Sequence, residues 1–166
     1  MKKAVAELFV KEMKAAGIEF VCGLPDTGLY ELFRLVREDP DFTFIPVTNE
    51  GEGVGICAGA WLGGKKAIML MENSGLRVAS EALARLGISF GIPALLLMSY
   101  RGEPGDGNWW AVNHGVVMEP LLKALRIPYV VLRRPEEVDG AIRRAFRSME
   151  ASKYHFALVA SGEALW

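Results

Sequence analysis

The chain has 166 residues, which is enough for one domain with a sizeable core and leaves little room for a second. Its 19 Lys and Arg residues against 20 Asp and Glu residues give a formal net charge of -1, so we expect no nucleic-acid partner. Hydrophobic residues make up 51% of the chain. With glycine counted and tyrosine left out the apolar share is about 60%, against about 45–50% in typical soluble domains. We expect this surplus to be buried in an obligate subunit interface.

The two cysteines, Cys22 and Cys57, form no CxxC motif and accompany no histidine cluster, which predicts free thiols and a cytoplasmic protein. The longest uncharged run, residues 86–100, is shorter than the roughly 18 apolar residues that a membrane span requires. Lys2 and Lys3 precede an amphipathic pattern instead of a continuous apolar segment. We therefore predict neither a signal peptide nor a membrane-spanning helix.

The first half of the chain alternates between helical and strand patterns. Ala4, Leu8, Phe9 and Met13 recur at helical spacing, and Gly17 follows at a C-cap position. After this first helix we predict a strand over 18–22, a helix over 29–38, a strand over 42–47 and a glycine-rich helix over 51–62. Gly51, Gly55 and Gly59 share one face of that last helix, which allows another backbone or a ligand to approach closely.

The second half continues the alternation. We predict a strand over 67–71, a helix from about 78 to 86, a strand over 94–99, a polar loop over 101–113, a helix over 116–125, a strand over 129–132, a helix from Pro135 to about 150 and a strand over 156–160. Near-continuous apolar strands alternating with helices indicate a parallel sheet covered on both faces. The sequence therefore predicts one α/β domain over residues 1–166, a three-layer doubly wound fold with about six parallel strands.

Ligands of such sheets bind outside the carboxyl ends of the strands, where this sequence places its polar loops. Glu50 directly follows a predicted strand and precedes the glycine-rich helix, so its carboxylate is held near a helix N-terminus. From position alone, an acid that only stabilises the helix dipole is the more common explanation. For Glu52, stabilisation of the helix dipole is the only role that its position suggests.

Three further loop features are candidates for chemistry. Glu72-Asn73-Ser74-Gly75 offers an N-cap and backbone amides to a polar ligand, although capping alone explains it. Arg101 follows a strand and could meet an anionic substrate group, although surface ion pairs are more common there. His114, beside a helix start, could move a proton near neutral pH, or simply cap the helix.

Other residues of the loops are weaker candidates. Trp109 and Trp110 are adjacent and cannot both face one core, so we expect at least one to contact a ligand or a partner chain. His155 precedes the last strand without polar neighbours and is interpreted as structural. The Gly-rich segment 102–108 fits neither a P-loop nor a dinucleotide fingerprint, which leaves an ordinary surface loop.

Several segments together resemble the pyrimidine-binding domain of thiamine diphosphate enzymes. The resemblance is closest to the family of sulfopyruvate decarboxylase alpha subunits and to the matching half of phosphonopyruvate decarboxylases. It covers nearly the whole chain and depends on the order and spacing of its motifs. These motifs are FVCGLPDTG (20–28), VTNEGEG (47–53), AGAWL (58–62), ENSGL (72–76) and MSYRGEPG (98–105).

The resemblance implies a mechanism and a set of site residues. In this superfamily a glutamate at the matching position bonds the aminopyrimidine of the cofactor and promotes formation of the nucleophilic carbanion that attacks a 2-oxoacid. Glu50 takes that catalytic role, and His114 lies near the position where related decarboxylases use loop histidines for proton transfer. Arg101 is expected to meet the distal sulfonate or phosphonate. The resemblance also implies which further residues bind the two ligands. The substrate is expected to contact Asp26, and the cofactor is expected to contact Gly23, Pro25, Asn73, Ser74 and Gly75.

The resemblance also implies that the chain is half of an enzyme. Family members bind the diphosphate and Mg²⁺ through a second domain with a GDG motif and a later NN pair. Gly105-Asp106-Gly107 has no such pair after it and lies in the pyrimidine-type half, so we interpret it as coincidental and expect no metal ligands here. A diphosphate-binding beta subunit of similar size is expected as partner, in an α2β2 or larger assembly that also joins pyrimidine-binding domains.

The sequence leaves the substrate and two other functions open. The expected substrate is a small anionic 2-oxoacid, and nothing in the chain distinguishes sulfopyruvate from phosphonopyruvate. One alternative is the subunit of a split acetolactate synthase-like or benzoylformate-type enzyme. The other is a non-catalytic assembly module with the same fold.

Overall fold

The computed structural model describes residues 1–166 and contains one six-stranded sheet in which every strand pairing is parallel. The strand order is β2-β1-β3-β4-β6-β5. The strands are β1 (Phe20–Gly23), β2 (Thr43–Pro46), β3 (Ala67–Glu72), β4 (Leu95–Ser99), β5 (Tyr129–Leu132) and β6 (Phe156–Ala160). The helices are α1 (Lys3–Ala16), α2 (Tyr30–Glu38), α3 (Glu50–Leu62), α4 (Gly75–Leu83), α5 (Val112–Ala124) and α6 (Ala141–Ser152).

Two apolar cores lie on the two faces of the sheet. One unites α1, α2 and α6 with alternate residues of the central strands, such as Leu95 and Leu97 of β4. The other unites α3, α4 and α5 with the intervening residues, such as Leu96 and Met98. All of β4 is buried, because a central parallel strand is covered on both sides. The three-layer fold predicted from the alternation is therefore confirmed.

Local signals explain where several elements begin and end. Gly17 adopts a left-handed conformation (φ 74°) and closes α1, as predicted. The Asn49 side chain accepts a hydrogen bond from the Glu52 backbone N–H (3.1 Å) and caps α3. Cys22 and Cys57 are buried free thiols, again as predicted.

Two predicted helices were wrong in extent. The helix expected from Pro135 is a 3₁₀ turn over Pro135–Val138, separated from α6 by Gly140. Gly140 has a φ of 67°, and its N–H is held by the buried Glu12 carboxylate (2.7 Å), so the chain turns there instead of continuing a helix. The helix expected from 116 begins earlier, at Val112, after a 3₁₀ turn over Trp109–Ala111.

A π-helical turn that the sequence did not predict continues α4 over Ala84–Ser89. It lies over the ring of His155, and a side-chain carbon at Gly87 would collide with that ring. His155 is fully buried; its Nδ1 accepts from the Ala94 N–H (2.9 Å) and its Nε2 donates to the Leu83 carbonyl (2.8 Å). Burial lowers the pKa of His155 from its ordinary value, which fits the structural role predicted for it.

The strand order creates a crevice at the carboxyl edge of the sheet. From β1 the chain passes to β2 on one side and then to β3 on the other, so the loops after β1 and β3 diverge. Open parallel sheets bind their ligands at such switch points. The loops after β1, β2, β3 and β4 all emerge at this edge.

Candidate active site

Glu50 is the first residue of α3 and one of the few buried acids, with 7% of its surface exposed. Its side chain lies against Gly75 at the start of α4, where an added Cβ would approach Oε1 to 2.5 Å. Its carboxylate takes part in no hydrogen bond within the chain, and the two carboxylate oxygens are not sealed from solvent. The structure thus brings together Glu50 and Gly75, which α3 and β3 separate in the sequence, and leaves the carboxylate free to bind a ligand.

Glu52, two residues further along α3, has a different environment. Its exposed carboxylate accepts hydrogen bonds from the Thr48 backbone N–H (2.7 Å) and hydroxyl (2.8 Å). These bonds lower the pKa of Glu52. Glu52 therefore stabilises the start of the helix, as predicted.

The loop after β1 is held by its own hydrogen bonds. Asp26 accepts from the backbone N–H groups of Gly28 and Leu29, both at 3.1 Å, so both carboxylate oxygens are engaged. Gly23 packs against the Phe33 ring, which leaves no room for a side chain. Pro25 is exposed at the edge of the crevice.

The loop after β3 combines one fixed and one free side chain. The buried Asn73 amide donates to the Arg101 carbonyl (2.8 Å) and accepts from the Arg101 N–H (3.2 Å), which joins the ends of β3 and β4. Ser74 makes no side-chain capping bond, so the expected N-cap was wrong. The backbone of Ser74 is already helical (φ -59°, ψ -34°), and in this conformation its hydroxyl does not reach the amides of the helix.

Arg101 is 4% exposed and is surrounded by groups that satisfy its charge. Its Nε donates to Asp106 (2.9 Å), and its guanidinium lies over the rings of Trp110 (4.8 Å) and Trp166 (5.2 Å). No protein atom accepts a hydrogen bond from its terminal nitrogens. A substrate anion would therefore have to reach those two atoms.

Asp106 organises the loop between β4 and α5. It accepts from Arg101 and the Gly102 N–H through Oδ2, and from the Asn108 backbone and side chain through Oδ1. The Arg101 guanidinium holds the pKa of Asp106 well below its usual range. The Gly105-Asp106-Gly107 motif thus has a local structural role. No sequence signal identified the ion pair, because a five-residue separation within a loop has no fixed geometry.

His114 lies in the first turn of α5 and not at the end of a loop, because α5 begins at Val112. Its Nδ1 is 2.9 Å from Oε1 of Glu72, the last residue of β3, and the two side chains are 15% and 20% exposed. The Trp110 ring meets the imidazole edge to face at 6.0 Å. The sequence suggested roles for the segment with Glu72 and for His114 separately but not their contact, because 42 positions separate them.

Neither tryptophan of the adjacent pair is buried in a core, and contact with a ligand or a partner chain stays a prediction. Trp110 covers Arg101 and His114, whereas Trp109 is 85% exposed. Ser99, at the end of β4, has a buried hydroxyl without a hydrogen-bond partner, close to Gly28. The structure contains no cluster of three or more acidic, histidine or cysteine side chains able to hold a metal ion. None of its helices is both long enough and apolar enough to cross a membrane.

Comparison with known proteins finds named relatives of the chain. No model of a protein family matches the chain. A protein of Methanocaldococcus jannaschii named sulfopyruvate decarboxylase subunit alpha is 38% identical over 147 residues, which are 89% of this chain and 87% of the relative. A protein of the same name from Methanococcus maripaludis is 32% identical over 154 residues, which are 93% of this chain and 92% of the relative.

A third relative is a longer protein. Sulfopyruvate decarboxylase of Methanosarcina acetivorans is 33% identical over 153 residues, which are 92% of this chain but only 39% of the relative. The region equivalent to this chain therefore occurs both as a separate subunit and as part of a larger polypeptide.

Proposed function

The chain belongs to the family of sulfopyruvate decarboxylase alpha subunits, and from that premise we propose that it is the pyrimidine-binding half of a thiamine diphosphate-dependent decarboxylase. Its proposed substrate is sulfopyruvate or phosphonopyruvate, which loses CO₂ to give the corresponding acetaldehyde. A diphosphate-binding beta subunit completes the active site. The observation that supports this proposal best is the buried Glu50 carboxylate, which has no partner within the chain.

The surroundings of Glu50 fit the pyrimidine end of the cofactor. A carboxylate that makes no hydrogen bond within the chain can accept one from a donor on a bound ligand, and this bond becomes stronger once the ligand excludes water. A ring nitrogen that carries or shares a proton is such a donor. Gly75 makes room for the Glu50 side chain itself, because an added Cβ would lie 2.4 Å from its Cγ and 2.5 Å from its Oε1. When bound, thiamine diphosphate supplies the nucleophilic carbon and accepts the electrons released with CO₂.

The other proposed cofactor residues border the same crevice. Ser74 has a hydroxyl that caps no helix and is available to a ligand, and Asn73 fixes the backbone beside it. Gly23 and Pro25 form the opposite wall in the loop after β1. In this proposal these residues position the pyrimidine ring, while Glu50 holds the proton at the ring nitrogen.

The diphosphate and Mg²⁺ are proposed to be held mainly by the partner subunit. Asp106, the acid of the GDG sequence, is fully engaged by Arg101, Gly102 and Asn108, which supports placing them outside this chain. Exposed apolar side chains support burial against other subunits. They lie on or after α3, α4 and α5, and they are Leu62, Val78, Ile88, Phe90 and Val116.

Proposed contacts to the substrate come from the loops after β1 and β4. The terminal nitrogens of Arg101 are open to the distal sulfonate or phosphonate, whereas its Nε is occupied by Asp106. Asp26 shapes the loop after β1 through its two backbone hydrogen bonds. His114 is proposed to exchange a proton with the reacting substrate.

The decisive experiment measures CO₂ release from sulfopyruvate and from phosphonopyruvate in the presence of thiamine diphosphate and Mg²⁺. The chain is assayed alone and after co-expression with a candidate beta subunit. We expect CO₂ release only from the co-expressed pair, and only when thiamine diphosphate is present. The preferred substrate then shows whether the distal anion is a sulfonate or a phosphonate. A stable complex that releases no CO₂ from either substrate contradicts the proposal.

A further inference from the structure

The pairing of Glu72 with His114 has a rigid foundation. Glu72 is paired in register with Ser99 of β4, and the following residue, Asn73, is bonded on both sides of its amide to Arg101. The carboxylate therefore extends from a strand end whose backbone cannot shift independently. A side chain in this position can orient a neighbour as well as bind it.

The imidazole of His114 is held in place by the packing of α5. Gly115, the next residue, packs so closely on the Gly102 backbone that neither position has room for a Cβ. This contact fixes the first turn of α5 against the end of β4. The Trp110 ring then limits rotation of the imidazole.

His114 is the one residue whose side chain forms a hydrogen bond with the Glu72 carboxylate. Arg101, the other cation of this region, is bonded to Asp106. A carboxylate can only accept hydrogen bonds, so the 2.9 Å contact requires that His114 donate from Nδ1. Nε2 has no protein partner and is not sealed from solvent. The geometry thus selects the Nδ1–H tautomer and keeps Nε2 open.

We propose that Glu72 is the positioning residue of the active site, which sets the tautomer and orientation of His114 so that Nε2 exchanges the proton of the reaction. This inference rests on the proposed decarboxylase function and adds a residue to it. The C–C bond that breaks when CO₂ leaves would give its electron pair to the bound cofactor, and that pair later forms the C–H bond at the substrate carbon. Nε2 of His114 takes a proton from a hydronium ion of the solvent and gives it up as this C–H bond forms, so that His114 returns to the neutral Nδ1–H form and one proton is consumed for each CO₂ released.

The pairing is tested directly by ¹⁵N NMR of the histidine side chains in the full chain. The chain has two histidines, and His155, bonded to the Leu83 and Ala94 backbone, serves as an internal reference. At about pH 8, where histidine is ordinarily neutral, we expect the Nδ1–H signature for His114. Replacing Glu72 by methionine (E72M) removes the acceptor and should transfer His114 to the Nε2–H form, while His155 stays unchanged.

Kinetics of the reconstituted complex test the consequence for catalysis. We expect E72M to lower kcat by on the order of 10- to 100-fold with KM within about twofold, because proton transfer contributes about 10²–10⁴ to such reactions. E72Q keeps an acceptor of the same shape and should retain more of kcat than E72M. E81Q, on the exposed part of α4, is the matched control and should leave both readouts unchanged.

Different results overturn different parts of the inference. The pairing is contradicted if the wild-type chain shows His114 in the Nε2–H form. It is also contradicted if E72M leaves the His114 signals unchanged, and both results hold whether or not the complex is active. An altered tautomer with unchanged kcat contradicts the positioning role. Wild-type complexes that release no CO₂ contradict the proposed function itself, and the NMR result then still decides the pairing.

Discussion

Two corners of the sheet edge differ in how their charges are satisfied. The β2–α3 corner, residues 47–53, holds Glu50 buried and without a hydrogen-bond partner. The β4–α5 corner, residues 100–115, holds Arg101 equally buried but bonded to Asp106 and covered by two tryptophan rings. The first corner thus leaves its carboxylate open to a ligand, whereas the second binds its guanidinium within the loop through Nε and leaves only the terminal nitrogens of Arg101 open.

The largest expected effect is on catalysis at the β2–α3 corner. E50Q should lower kcat of the complex by at least about 100-fold, because Glu50 holds the proton at the cofactor. Its thermal unfolding should occur near the wild-type temperature, because the Glu50 carboxylate makes no hydrogen bond within the chain that the substitution would break. The measurements are CO₂ release and calorimetry.

A matched control lies two residues away. E52Q changes the exposed acid that bonds Thr48, and it should leave kcat unaltered. Near-normal rates for E50Q, or equal losses in both variants, would remove the distinction between the two acids.

At the β4–α5 corner we expect a substitution to lower the stability of the chain. D106N leaves Arg101 buried without its charged partner, so we expect the free energy of unfolding to fall by about 3 kcal/mol. Chemical denaturation of the chain measures this change. E163Q, an exposed acid near the C-terminus, should alter stability by less than about 0.5 kcal/mol. A stable D106N variant would mean that the ion pair contributes little.

Two glycines test whether the space beside Glu50 matters. G75A introduces a side chain that collides with the Glu50 carboxylate, and we expect a loss of about 1–3 kcal/mol together with a lower kcat. G55A, on the open face of α3, should instead stabilise the isolated chain by up to about 1 kcal/mol, because alanine favours helix. Equal effects of the two changes would show that contact with Glu50 is unimportant.

The smallest expected effect is the acid response of the β4–α5 corner. The pKa of Asp106 is lower in the folded chain than in the unfolded chain, so its stabilisation is complete above the unfolded value of about 4. It is lost as the pH falls through the folded value. The difference in unfolding free energy between the wild type and D106N should therefore shrink below about pH 4, and a constant difference would contradict the assigned cause.

Periodic and positional signals in the sequence predicted much of the fold. The apolar runs of β3 and β4 identified central strands, and the position of Glu50 after a strand correctly placed it at the start of a helix, although its burial was not predicted. Such signals depend on neighbours along the chain, which is why they could be read without a structure. The family resemblance supplied a role for Glu50, and this role stays a prediction until E50Q is measured.

The remaining features depend on contacts between distant segments. The pair formed by Glu72 and His114 exists because Gly102 and Gly115 bring α5 onto the end of β4. The break at Gly140 depends on a hydrogen bond to Glu12, 128 positions earlier. No local pattern encodes either contact. The failure of Ser74 to cap α4 likewise follows from a backbone conformation that its residue type does not specify.

The position of β4 in the sheet has a consequence for synthesis. One of its neighbours, β6, follows it only after α5, β5 and α6, so the apolar β4 has an unpaired edge until β6 has left the ribosome. Exposed apolar edges promote aggregation, and pairings between distant segments form slowly. The nascent chain therefore needs protection during this interval, and truncation before Phe156 would leave its central strand permanently open.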